Sequence, residues 1–430
     1  MTAQLVSDAL AISGQWRHEL DLEQLLGAAL RPEWMNESEI DVVAIGKGAR
    51  SMASATSLLL GPRVSRQLVI TDELMGNTNE GGAGVELLVG DHPIAGPASE
   101  RAGRRLLEFL GTSASDLTLF LLSGGASSLC AYPQAPLTID DLAAVWDVAL
   151  RRGLDITTLN QLRAATSMIG GGRILRHVRS KHSATLLMVD NVVSGARWVA
   201  SGLTYEFVPD DQQFATLLER FSLEDSSLAR RLWAAHTQRT AAMTEVGSGH
   251  HENRVAAEPG LLVEHASAEA RRRGFRVVSL GAQVSGDVAA VSARFEAAIG
   301  SELARGDGFC LLGVGEVTVQ VHGSGDGGRC QEFASSMVRA MAHFGREGVF
   351  VARASDGRDY LQGVAGAWID RATEHRSAQF GIDWQEVLAR NDSFHALGML
   401  GQLIEGEPTG WNLCDLYVAL FERDGATTAA

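Results

Sequence analysis

The sequence predicts an α/β protein of two domains, each built on a largely parallel sheet. Short apolar runs that read as strands alternate with helix-period segments along most of the chain. Several runs are continuously apolar, as in strands buried on both faces. Glycine is 47 of 430 residues, about 11%, with only 9 prolines, against a usual glycine share of about 7%. That excess points to glycine-rich loops at strand ends.

Taken in order, the first 30 residues read as helical and Pro32 follows. DVVAIG (41–46) is a strand ending in glycine, and GKGARSMASATSLLL (46–60) has helical character. RQLVITD (66–72) and VELLVGD (85–91) are strands. PASERAGRRLLEFLG (97–111) is a helix, and DLTLFLLS (116–123) and SATLLMVD (183–190) are buried strands. Residues 206–260 are charged, helical and poor in strand signals, with GSGHHEN (247–253) as a loop or hinge. A second alternation follows: helix 258–273, strand 276–281, helix 284–304, strands 309–315 and 317–323, a helix from about 329, strand 348–355, further helices and strand 416–423. The expected domains are therefore 1–250, Rossmann-like, and 251–430.

Composition narrows the function. Apolar residues are 45% and charged residues 21%, which excludes disorder as the main state. The net charge of −15 and pI near 5.3 lack the basic field that nucleic acid or an anionic membrane would need. No apolar run approaches the length of a membrane span. The N-terminus does not read as a signal peptide. Cys130, Cys310, Cys330 and Cys414 are far apart, with no C-x-x-C. The expectation is a cytoplasmic protein with a small-molecule substrate, no nucleic acid and no membrane partner; a homodimer stays open.

In such sheets ligands lie beyond the C-terminal ends of the strands. There the sequence places Gly46-Lys47-Gly48, Asp91-His92-Pro93, Ser123-Gly124-Gly125-Ala126-Ser127-Ser128, Asp190-Asn191, Gly315-Glu316, Gly323 to Arg329, and Ser355-Asp356-Gly357. Lys47 is a compact cation suited to phosphate oxygens. The Ser123–Ser128 loop offers close backbone approach and hydroxyls. Asp190, Glu316 and Asp356 are carboxylates of the kind Mg²⁺ takes alongside phosphates and waters. His92 reads as a turn histidine or a base. Gly323 to Gly328 formally fits G-x-G-x-x-G, but it lies late in the chain, with Arg329 straight after it.

Together the motifs resemble a family. GKGA (46–49), HP (92–93), DLTLFLLSGGASS (116–128), LNQLR (159–163), GGR (171–173), VASG (199–202), VGEVTV (314–319), GSGDGGR-x-QEFA (323–334), SDGRD (355–359), NDS (391–393) and PTG-x-N-x-x-DL (408–416) occur in the order seen in the glycerate 2-kinases, or MOFRL family. The resemblance covers roughly residues 5–423. It implies two α/β domains with an active-site cleft between them, and transfer of the γ-phosphoryl of ATP to the 2-hydroxyl of D-glycerate with Mg²⁺. It implies Lys47 and Arg329 as catalytic residues. Gly46, Ser123, Gly124, Gly125, Ser127, Asn160, Arg163, Gly325, Gly327 and Asn412 are then expected to bind nucleotide or substrate, and Asp190, Glu316 and Asp356 to hold the metal.

The chain departs from the family pattern at Gly96, Ala164, Ala165, Gly170, Asn191, Leu203, Cys330, Glu407 and Trp411. Loss of cations at Ala164, Ala165 and Gly170 is expected to weaken binding of a charged acid, and Trp411 to add an apolar or stacking wall. Alternatives kept open are a diverged member acting on another hydroxylated metabolite, an NAD(P)-dependent hydroxy-acid reductase, and a non-catalytic binding protein.

Overall fold

The structure, a computed structural model, describes residues 2–72, 84–152, 154–190, 195–221, 226–241 and 250–423. The chain forms two compact units. One runs from Leu22 to Asp190 and on to Ala257. The other joins Met1–Asp21 to Glu258–Ala430.

The first unit holds a six-stranded sheet of β1 (Ile40–Ile45), β2 (Val64–Thr71), β3 (Val85–Val89), β4 (Leu117–Leu122), β5 (His182–Met188) and β6 (His251–Ala257). All neighbours are parallel, in the order β3-β2-β1-β4-β5-β6. The central strands β1 and β4 are buried at every position, which is why they read as continuous apolar runs. Helix Pro97–Gly111 packs Ala102, Leu106, Phe109 and Leu110 against this sheet. Asp91 Oδ2 accepts from the Ala98 (2.8 Å) and Ser99 (3.3 Å) amides at the start of that helix. A separate helical core of Leu137, Val145, Phe214, Phe221, Leu228 and Leu232 accounts for the charged, strand-poor character of the region after 206.

The second unit holds β7 (Arg276–Ser279), β8 (Val284–Asp287), β9 (Phe309–Thr318), β10 (Gly348–Ala354), β11 (Val364–Asp370), β12 (Leu403–Glu405) and β13 (Asp415–Phe421). Their order is β12-β11-β10-β13-β9-β7, with β8 also on β9. Only β7 and β8 run parallel to β9; every other pairing is antiparallel. The α/β class stands, but the expectation of a largely parallel second sheet is corrected. The link between β10 and β11 is too short for a helical crossover, so the chain must reverse.

Three further expectations change. The division at 250 moves to after Ala257, because β6 pairs with β5. The first 21 residues belong with the second sheet. The strands read at 309–315 and 317–323 are one strand ending at Thr318. The hinge read at 247–253 lies partly outside the described residues. Among the described residues no helix is long and apolar enough to cross a membrane.

Candidate active site

The strand order of the first sheet reverses between β1 and β4, and ligands of doubly wound sheets bind at such a switch point. The loops after these two strands are Gly46-Lys47-Gly48 and Ser123-Gly124-Gly125, and they are tied together. Lys47 N–H donates to the Gly124 carbonyl (2.9 Å), and Gly48 N–H donates to Ser123 Oγ (2.9 Å). Gly46 has φ +130°, and a Cβ there would collide with Ser123, so only glycine lets the loops meet. Ser123 is fully buried; its hydroxyl holds the frame of the site rather than facing a ligand.

Gly125 has φ +81°. A Cβ there would stand 3.4 Å from Lys47 Cγ and 3.3 Å from His92 Cδ2. Lys47, His92 and the serine-glycine loop are thus neighbours. Ser128 Oγ donates to the Pro93 carbonyl (2.7 Å), which fixes the His92-Pro93 turn against the same loop.

Beside them lies a cavity of about 30 Å³, lined in part by Ser127, Arg163, Ser167, Gly170, Ser201 and Leu203. Ser201 Oγ donates to Asn160 Oδ1 (2.9 Å), so Ser127 Oγ must donate to Ser201 Oγ at 2.7 Å. Arg163 is the only charged residue lining this cavity among the described residues. Its guanidinium lies 4.8 Å from the Trp146 ring centroid. No carboxylate partners it among the described residues, and burial lowers it to about 10, so it stays cationic at neutral pH. Lys47, Ser127, Asn160, Arg163 and Gly170 are thereby brought to one place.

Ala164 and Ala165 are not part of it. Both are fully buried, Ala165 among Phe214, Phe221 and Leu232. Their identity is set by packing and gives no reason for weaker acid binding. Gly96 is likewise a packing position: a Cβ there would stand 2.7 Å from Asp91 Oδ2. Leu203 forms apolar wall of the cavity.

In the second unit Arg329 opens the helix Arg329–His343. Its Nε and Nη2 are held by Asp415 Oδ2 (2.6 Å) and Oδ1 (2.8 Å), and Glu316 Oε1 lies 3.4 Å from Nε. Burial opposes the guanidinium's charge, but Asp415 and Glu316 outweigh it and hold Arg329 well above the ordinary arginine range. Burial pushes Asp415 up, against the pull of the Arg329 guanidinium it pairs with. Tyr417 Oη lies 3.3 Å from Asp415 Oδ2. Two faces of the arginine fork are therefore occupied, and Nη1 remains to meet an anion. Asp359 is fully buried and accepts from the Cys330 (3.0 Å) and Gln331 (2.9 Å) amides, capping the same helix from outside it.

The glycines of the 323–328 loop serve packing. A Cβ at Gly323 would strike the Arg390 carbonyl, at Gly327 Ser393, and at Gly328 Asp359; at Gly325 it would stand 2.5 Å from Asp392 Cβ. The G-x-G-x-x-G spacing is explained by close approach to Arg390, Asp392 and Asp359, with no dinucleotide required. Cys330 is fully buried and its thiol is pushed far up by burial. Trp411 is only 7% exposed, so the expected stacking wall is corrected: the ring fills the interior. Asn412 is buried beside it.

The three carboxylates expected at Mg²⁺ differ in setting. Asp190 follows β5 in the first unit, while Glu316 and Asp356 are at the ends of β9 and β10 in the second. Asp356 Oδ1 accepts from the Arg358 amide (2.9 Å), and the Glu316 side chain is half-exposed. Among the described residues no three His, Cys, Asp or Glu side chains are grouped to hold a metal ion. Each of Asp190, Glu316 and Asp356 is a carboxylate of the kind Mg²⁺ takes alongside phosphate oxygens and waters.

Asp415, Asp359 and Ser201 were within reach of sequence reading, since each lies inside a quoted motif, but only the fold shows what they hold. Trp146 gave no signal at all.

The first unit is a doubly wound sheet with a lysine at its switch point, the place where such folds bind nucleotides and other small ligands. The comparisons with known proteins make this specific. Residues 3–233 match the model of a domain of unknown function (DUF4147), and residues 309–415 match that of the MOFRL family. The chain is 29% identical over 393 residues to the D-glycerate 2-kinase of Thermotoga maritima, covering 90% of this chain and 91% of that one. It is 29% identical over 389 residues to a putative hydroxypyruvate reductase of Agrobacterium vitis, covering 88% and 86%. The crystal structure of glycerate kinase from Thermotoga maritima superposes with a TM-score of 0.81 at 25% identity, over 97% of this chain and all of that one. The chain belongs to the glycerate 2-kinase (MOFRL) family and is a kinase.

Proposed function

We propose that this chain is a cytoplasmic, ATP-dependent kinase that moves the γ-phosphoryl of ATP to the hydroxyl of D-glycerate or a related small hydroxy acid. One observation carries the reading: Lys47, His92 and the Ser123–Ser127 loop adjoin a cavity whose single charged lining residue, Arg163, has no carboxylate partner among the described residues.

Arg163 takes the acceptor's carboxylate through paired N–H bonds. Ser127 orients the acceptor hydroxyl. The hydroxyl oxygen attacks the γ-phosphorus, the bond to ADP breaks, and His92 receives the hydroxyl proton. Such a transition state asks mainly for positioning and charge neutralisation. Lys47 supplies positive charge at the first unit's switch point, and Arg329 is the cation the second unit contributes to the chemistry. Mg²⁺ bound with the nucleotide would add neutralisation of phosphate charge, held by Asp190, Glu316 or Asp356.

The test is ADP release across a panel of hydroxy acids and polyols, run beside melting curves with Mg²⁺-ATP and with NADH. A ligand at 100 times its Kd stabilises the native state by about 2.7 kcal/mol. ADP release with a small hydroxy acid and a melting shift with ATP alone are expected. A shift with NADH alone would replace the kinase with the reductase reading that the Agrobacterium relative's name carries.

A further inference from the structure

The arginines around the N-terminal helices divide into two kinds. Arg273 is paired with Asp8 and Glu269, and Arg272 with Glu19 and Glu269. Arg17 and Arg353 have no carboxylate among the described residues, and neither makes a side-chain hydrogen bond there. Arg353 is only 8% exposed, on β10, and Gly366 and Leu416 are its neighbours across the sheet. Ala352 and Ala354 point into the core under the helix Arg329–His343. Arg353 therefore points to the opposite face, where its guanidinium lies against the backbone at Gly14; a Cβ there would collide with Nη1. Arg17, one helical turn further on, has its Nε buried without a partner.

Two cations gathered under one helix end repel each other, and a buried guanidinium without hydrogen bonds loses its hydration uncompensated. Burial and the nearby Arg17 together lower Arg353 to about 10, so Arg353 still carries its charge at neutral pH. The end of helix Thr2–Gly14 offers only a partial negative charge. An oxyanion would satisfy both forks at once.

We propose that Arg17 and Arg353 form a binding site for a phosphate-class oxyanion, on the face of the second sheet opposite Arg329. The partly exposed Arg17 is its entrance, and Arg353 its floor. The site is separate from the Lys47 and Arg163 constellation and does not depend on the acceptor assigned there. The oxyanion is either inorganic phosphate or the phosphate chain of a nucleotide.

The test uses the full chain in melting and calorimetric titrations, exchanging chloride for inorganic phosphate at fixed ionic strength. Wild type, Arg17→Gln and Arg353→Met are compared. Wild type should melt higher as phosphate rises, with saturation, and both variants should lose most of that shift. Without phosphate, Arg353→Met should melt at or above wild type, because it removes an unpaired buried charge. Arg17→Gln, at a partly exposed position, keeps the test decisive if Arg353→Met fails to fold. An ATP arm separates the sources. Weaker ATP binding in Arg17→Gln assigns the nucleotide's phosphates, and unchanged ATP binding with lost phosphate response assigns the free ion. Equal phosphate and ATP responses in Arg17→Gln and wild type would overturn the site.

Discussion

Arg163 shows how one side chain sets acceptor choice. Its guanidinium lies against Trp146, and no other charged residue lines its cavity among the described residues. Its removal should leave nucleotide binding intact and loosen the acid. We expect Arg163→Met to raise the acceptor KM about 10–100-fold, roughly the 1.5–3 kcal/mol of a hydrogen bond to a charged group, with the ATP KM unchanged. Arg163→Lys should recover only part, since a point charge cannot reproduce the fork. Steady-state kinetics with each substrate varied in turn checks this; an ATP KM that moves with the acceptor's would take Arg163 out of the acceptor site. Lys47 and Arg163 were visible in the sequence because each lies in a motif at a strand or helix end. The environment of each was not. That Ala164 and Ala165 are core residues, that Ser123 faces inward and that Trp411 is buried follow from helix and loop orientation, which residue spacing does not fix.

At the scale of elements, the sequence was most readable where strands are buried on both faces. β1, β4 and β5 matched their apolar runs because a parallel sheet covered by helices leaves no polar face. β6, β11 and β12 were missed, and β8 (Val284–Asp287) was read as the start of the helix that begins at Val288. His251 and Asn253 on β6 hydrogen-bond Thr185 and Thr204, so that strand has polar content a pattern search reads as loop. The helix Arg329–His343 carries its own test. Glu332, in its first turn, is 3% exposed, and Ser393 Oγ donates to it at 3.5 Å. Burial raises Glu332 from 4.5 to about 7. The native state thus binds the proton more tightly than the unfolded chain, and stability is lost as pH rises from about 4.5 through about 7. Glu332→Gln mimics the protonated form. It should be more stable than wild type by about 1–3 kcal/mol at pH 8, with the difference vanishing below pH 4.5. Urea unfolding across that range decides it. A variant less stable than wild type at pH 8 would mean that the carboxylate makes favourable contacts that burial does not outweigh.

For the whole molecule, the question is whether two units act on one charge. Lys47 belongs to the first unit and Arg329 to the second, and the proposed chemistry gives each a part in phosphoryl transfer. That is a statement about energetic coupling, and kinetics can measure it. A charge used mainly in the transition state lowers kcat and kcat/KM together. Lys47→Ala should lose about 10²–10³-fold, by analogy with a single oxyanion donor. Arg329→Lys should also lose activity, for a reason the structure supplies. Asp415 already occupies Nε and Nη2, so only a guanidinium can hold Asp415 with one side and offer Nη1 with the other. A lysine must choose between them, and choosing the substrate would leave Asp415 buried and unpaired. If the two cations serve one charge, the double variant loses less than the product of the single losses. The four-enzyme cycle must be run on an acceptor established by the ADP-release panel, with folding checked by circular dichroism. Strict multiplicativity would show that the cations act on separate steps. Near-wild-type turnover in either single variant would remove that residue from the reaction.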